Sequence, residues 1–343
     1  MDREELRRLG PALDAFLEEF RGCAAAPTRK LIAAYIRGLL GPLPRKSVRP
    51  MAREAGIPAR TLQELLSLHK WDADLMLRIV RARAARIREG RGVMGVVGLK
   101  GCAKRGDKTP GVARQRSPTN GRVENCCVLV HLGAWDGVSA CLAGSALHLP
   151  AAWVDDPGRR RRAGIPDEAS YRSPGALALD LVRSAEDAGL RFSFITAGTE
   201  LGSDPEFLCG MAGARKSFLA EVPGAFRSRD PEGTAEEMAK GASAVPFVPE
   251  RVPDRAAPLR LLTVPPRFFV TNAPEEIAGP RLAELAGEAR VASVQLDADA
   301  RSVGLDHFEV RTYRSLLRHL TLSAATLLFR AELTKQTVCF VRD

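Results

Sequence analysis

The hydrophobic period of this chain changes near residue 92, and that change limits the folds open to it. Upstream the apolar residues keep a helical repeat. Leu13, Phe16, Leu17 and Phe20 form one stripe, and Leu31, Ile32, Tyr35, Ile36, Leu39 and Leu40 form a second that ends at Gly41-Pro42-Leu43-Pro44. Downstream, apolar runs of strand length alternate with helical stripes. Strands are expected at 93–97, 125–132 and 140–149, with Gly133 and Gly137 marking the turn between the last two. A helix at 175–188, a buried strand at 192–196, a helix at 205–212 and a strand at 217–222 follow. Residues 225–258 are rich in Pro and Gly and read as an irregular insertion. Strands at 259–264 and 267–271 form a hairpin, and helices at 275–287, 290–303 and 313–334 close the chain. The expected class is α/β, a mixed sheet with flanking helices, preceded by an all-helical segment. The expected divisions are 1–91, 92–224, 225–258 and 259–343.

Composition narrows the partners. With 343 residues and 45% hydrophobic residues the chain can bury a large core, yet no run of about 18 apolar residues exists to span a membrane. The opening Met1-Asp2-Arg3-Glu4-Glu5-Leu6 lacks the apolar centre of a signal peptide. Seven cysteines without a C-x-x-C pair point to a reducing cytoplasm rather than to disulfides or a structural metal. The formal net charge is +10, and residues 1–91 hold 19 Lys plus Arg against 11 Asp plus Glu. Such asymmetry is a footprint of nucleic-acid binding.

Within that basic segment, residues 51–66 outline two short helices around a glycine turn at Gly56, after the connector Arg45-Lys46-Ser47-Val48-Arg49-Pro50. A longer helix carries Leu75, Met76, Ile79, Val80 and Ile87 on one side and presents Arg78, Arg81, Arg83, Arg86, Arg88 and Arg91. These arginines read either as phosphate contacts or as a solvated helix face. Arg159-Arg160-Arg161-Arg162 is expected on a loop. The five histidines show no metal-ligand spacing, and no serine sits in a G-x-S-x-G elbow.

The strings Val96-Val97-Gly98-Leu99-Lys100-Gly101, Gly111-Val112-Ala113-Arg114-Gln115, Arg122-Val123-Glu124-Asn125-Cys126, Ile195-Thr196-Ala197-Gly198-Thr199-Glu200 and Gly304-Leu305-Asp306-His307-Phe308-Glu309-Val310-Arg311 together resemble the DDE transposases of bacterial insertion sequences, a group of DDE superfamily endonucleases. The resemblance implies a ribonuclease H-like fold behind a helical DNA-binding region. It also implies that the first two catalytic aspartates of the family fall at Gly98, at the end of the first strand, and at Gly198, just after the fourth. An ungapped count puts the glutamate at Ser293, with Ala289 and Ala300 where the family has an arginine and a lysine. Two divalent ions drive such phosphoryl transfers, and magnesium requires carboxylate oxygens. Glycine supplies none, so no metal and no cofactor is expected. Glu200, Asp297 and Glu309 are the acids that could substitute, and restoring aspartate at 98 and 198 with glutamate at 293 should recover metal binding.

Three functional readings follow. In the first, a catalytically inactive, domesticated transposase-like protein binds DNA through Arg78, Arg81, Arg83, Arg86, Lys104, Arg105, Lys108, Arg114 and Gln115. In the second, the vacated cleft takes a small molecule between Lys100, Thr196, Thr199, Glu200, Ser293, Gln295, Asp297, His307 and Glu309. In the third, the chain is the product of a decaying insertion sequence. Self-association is left open by the sequence.

Overall fold

The computed structural model describes residues 1–239, 244–250, 252 and 259–342. The opening segment is helical: α1 (Arg3–Arg8), α2 (Gly10–Glu18), α3 (Ala26–Leu40), α4 (Val48–Glu54), α5 (Ala59–Ser67) and α6 (Ala73–Arg86), with a 3-10 turn at Arg21–Cys23. Gly56, at φ +64°, turns the chain between α4 and α5 as the glycine signal implied. Asp72 caps α6 by accepting from the Leu75 N–H at 2.7 Å.

The sheet begins with β1 (Met94–Ala103), β2 (Ala113–Arg116), β3 (Val123–Trp135) and β4 (Ala140–His148). Helices α7 (Ala151–Val154), α8 (Pro157–Ala163) and α9 (Pro174–Asp187) lead to β5 (Phe194–Ala197). Next come α10 (Thr199–Gly202), α11 (Pro205–Gly213), β6 (Phe218–Val222), β7 (Arg227–Asp230), β8 (Glu232–Thr234), α12 (Ala235–Met238), β9 (Ala244–Pro249), β10 (Leu259–Val264), β11 (Arg267–Thr271), α13 (Gly279–Ser302) and α14 (Tyr313–Arg342).

Among the described residues the strands order as β2-β3-β1-β5-β6-β11-β10-β9-β7-β8, with β4 following β2 along the same edge of β3. β1 and β3 are antiparallel, whereas β1, β5 and β6 run parallel. This mixed α/β architecture is that of a ribonuclease H-like DDE fold. From Cys126 to Trp135 every residue of β3 is buried, because helices cover both faces of the sheet. Gly133 faces α13, and a Cβ there would lie 2.5 Å from Leu296 Cδ2, so the helix reaches the sheet only over a glycine.

Several local expectations are corrected. β1 continues to Ala103, which puts Gly98 in mid-strand rather than at its end. Gly133 lies inside β3, and Gly137 alone, at φ +85°, marks the β3–β4 turn. β2 was not foreseen. Arg159 to Arg162 belong to α8, capped by Asp156, instead of a loop. The described part of 225–258 carries β7, β8, α12 and β9 rather than irregular chain. The helices expected at 275–287 and 290–303 are one helix, α13, running through Gly287.

The last helix binds the two halves together. α14 packs on β4 and also on α3, α5 and α6. Phe329 stacks obliquely on Phe16 at 5.3 Å, and Arg318 donates to the carbonyls of Leu65, Leu66 and Trp71. Buried His319 donates from Nε2 to the Leu305 carbonyl at 3.0 Å, which leaves Nδ1 to accept from the Tyr35 hydroxyl at 2.9 Å.

Candidate functional site

Val97 of β1 is paired in register with Ala197, the last residue of β5, so Gly198 steps out of β5 beside Gly98, which continues along β1. Gly198 precedes α10 with φ −77° and ψ 178°, and a Cβ there would meet only Glu200 Oε2, at 3.7 Å. It shares a cavity of about 140 Å³ with Ser293, Thr196, Val97 and Ala289. The position beside Gly98 is different. His131, its register partner on β3, fills the space: a Cβ on Gly98 would lie 2.8 Å from His131 Nε2. Burial pushes the His131 pKa down, Asp297 on α13 works against that shift, and Lys100 adds to it. Among the described residues its Nδ1 has no hydrogen-bond partner.

The side chains around these strand ends do not fit a pair of divalent cations. Gly98 and Gly198 offer no ligand, Ser293 offers a hydroxyl, Glu200 is exposed on α10, Asp297 acts on His131, and Glu221, which lines the cavity, is paired with Arg267. Among the described residues no group of three or more His, Cys, Asp or Glu side chains is arranged to hold a metal ion. The pocket expected from the sequence is also not assembled as one site. Thr196 and Ser293 line the cavity, but Lys100, Thr199, Glu200, Gln295 and Asp297 do not, and His307 and Glu309 line a separate cleft. Gln295 instead donates to Asp299 at 2.8 Å.

The structure divides the cations read as phosphate contacts. Arg81 is buried and donates to the Ala143 carbonyl at 2.8 Å and to the Ser184 carbonyl at 3.3 Å, so it anchors α6 to the sheet. Arg83 is clamped by Glu332 at 2.5 and 2.8 Å and by Glu19 at 3.0 Å. Arg86 is exposed but paired with Glu19. Lys104 turns inward, donating to the carbonyls of Asp306 and Phe308 at 2.8 and 2.9 Å and lying 3.6 Å over the Phe308 ring. Burial lowers its pKa. Gln115 donates to the Cys126 carbonyl at 2.8 Å, across the β2–β3 pairing. Arg78, Arg105, Lys108 and Arg114 remain exposed.

Two of these exposed cations, Arg105 and Lys108, belong to a cleft of about 890 Å³ between the loop after β1 and residues 306–311. Lys104 builds its floor by tying the two segments together, and Asn125 fixes the loop by donating to the carbonyls of Lys104 and Gly106, each at 2.8 Å. His307 Nδ1 accepts from the Lys46 N–H at 3.0 Å, which joins the α3–α4 connector to the same wall. Arg45 and Arg311 complete the lining, Arg45 as the ion-pair partner of Glu309. A neighbouring recess of about 550 Å³ shares Glu309, Val310 and Arg311 and adds Arg49 and Gln63 from α4 and α5. The result is a polar groove from the N-terminal helices to the β1–β2 loop.

Sequence reading missed Arg45, Arg49, Arg311 and His131. The first two stood in a basic connector and the third ended a motif string, but only long-range packing brings them together. Nothing local marked His131.

No curated protein matched the chain. The family model of DDE superfamily endonucleases matches residues 16–262, well over half of the sequence and both glycine positions, and the chain therefore belongs to that family.

Proposed function

We propose that this chain is a DDE-family protein that binds DNA in the groove between α4–α5 and the β1–β2 loop and does not perform two-metal cleavage. The observation that carries the second half is the replacement of a ligand by a plug. At Gly98 there is no carboxylate, and the His131 ring occupies the space one would need. The groove supports the first half. Arg49, Arg105, Lys108 and Arg311 are exposed on its walls without an ion-pair partner among the described residues, and phosphate contacts by such side chains dominate DNA affinity.

The small-molecule reading draws less support. The cavity beside Gly198 is about 140 Å³, whereas ligand pockets typically run to roughly 300–1,000 Å³.

The test is a mobility-shift titration of duplex DNA across a salt series, with and without magnesium or manganese. Four phosphate contacts predict a slope of log K against log salt near −4, at about −0.9 per contact. The combined Arg105→Ala, Lys108→Ala and Arg311→Ala variant should reduce the slope by about 3. Neither metal should raise the melting temperature beyond a salt control, and DNA should remain intact. An unchanged slope in the triple variant would move binding elsewhere, and metal-dependent nicking by the unaltered chain would overturn the reading.

A further inference from the structure

We infer that α13 carries a self-association surface and that its occupant is a second copy of this chain packed antiparallel. Among the described residues, five large apolar side chains are conspicuously exposed, and two of them, Val291 at 57% and Val294 at 61%, sit three residues apart on this helix. Exposed Gly287 and Ala298 continue the line in both directions, giving the spacing 287, 291, 294, 298. Steps of four, three and four make the 3.5-residue seam along which two helices pack knobs into holes. The opposite face of α13, with Leu282, Leu285, Ala286, Ala292 and Leu296, is already buried in the chain's own core. The seam is therefore a second apolar face, and among the described residues nothing packs over it.

Charge at the seam's ends selects both the partner and its direction. The next seam positions are Glu284 and Arg301, both exposed. In a parallel pair each would stack on its own copy, placing glutamate on glutamate and arginine on arginine. In an antiparallel pair about a two-fold axis between 292 and 293, Val291 meets Val294 of the second copy and Gly287 meets Ala298. Glu284 then lies against Arg301, an opposite-charge layer at each end. Arg290 and Asp297 flank the seam on one side and face each other across the same axis. The small residues at 287 and 298 let the two helices approach closely.

The experiment is sedimentation equilibrium of the full chain over a range of concentrations. The unaltered protein is expected to form a dimer. Val291→Glu combined with Val294→Glu should leave it monomeric with an unchanged circular dichroism spectrum. Glu284→Arg alone and Arg301→Glu alone should each weaken the dimer by about tenfold, and the two together should restore it. A monomer at ~100 µM, a dimer that survives both valine substitutions, or charge reversals that do not rescue one another would each overturn the inference. The surface charge variants keep the test decisive should the valine variants fail to fold.

Discussion

At the residue scale, glycine at 98 and histidine at 131 are one structural unit. An aspartate at 98 would start from a Cβ 2.8 Å from a buried imidazole, so the ring or β3 must move. Overpacking of that kind costs about 1–3 kcal/mol. Gly98→Asp should lower stability to urea by that amount, and by less in a His131→Ala background. Equal costs in the two backgrounds would show that the ring is not the obstacle. Gly198→Asp should stay within about 1 kcal/mol of the parent, because its Cβ enters open space at a helix start, where aspartate is favoured. The same contact opposes the expected recovery of metal binding on restoring the carboxylates. A ligand at 98 needs the His131 ring to shift or to be removed.

At the element scale, the C-terminal helix is held by a buried charge. The Asp136 carboxylate in the β3–β4 turn accepts from the N–H groups of Val138 and Ser139, ion-pairs with Lys335 of α14 and lies 3.7 Å from Arg88 just past α6. Burial alone would raise its pKa, but the Lys335 ammonium, the Ser139 N–H and the Arg88 guanidinium outweigh it and hold the group below the ordinary carboxylate range. Asp136→Ala would leave buried Arg88 and half-buried Lys335 without their carboxylate and should cost about 3–5 kcal/mol in urea denaturation. A loss under about 1 kcal/mol would mean that α14 is held by its apolar face alone. Sequence reading had assigned this basic helix end to solvent or phosphate, since the spacing of Arg81, Arg83, Arg86 and Arg88 does not reveal that a sheet and a second helix lie against it.

At the scale of the whole molecule, the N-terminal helices and the sheet share one core through α14, and a neutral histidine sits at that junction. Burial pushes the His319 pKa down to about 4 from 6.5, while its carbonyl partner Leu305 works the other way. The unfolded chain therefore takes up a proton that the folded chain refuses between pH 6.5 and about 4. Stability is complete above 6.5 and falls as the pH drops through this window, by about 3 kcal/mol for this residue. His131 shifts in the same direction. The urea midpoint followed by tryptophan fluorescence should decline steadily from pH 7.5 to 5. A flat midpoint over that range would show that these imidazoles take up protons in the fold as readily as in the unfolded chain.

What the sequence by itself determined is whatever is encoded within a turn or two of chain. The helical period of residues 13–40, the glycine turn between α4 and α5, the helical run at 175–188 and the apolar runs of β5, β10 and β11 all carry local signals, and so do the strings that mark the family. Tertiary structure decided the rest. α13 runs through Gly287 because Leu285, Ala286, Ala292 and Leu296 all pack on one side, which outweighs a glycine cost of about 1 kcal/mol. β1 extends past Gly98 because β3 offers ten consecutive partners from Trp135 back to Cys126. Whether a cation meets solvent, a carboxylate or a carbonyl depends on residues up to 264 positions away, as for Arg45 and Glu309. A binding groove is such a long-range property, and so is a histidine seated in the space an aspartate would need.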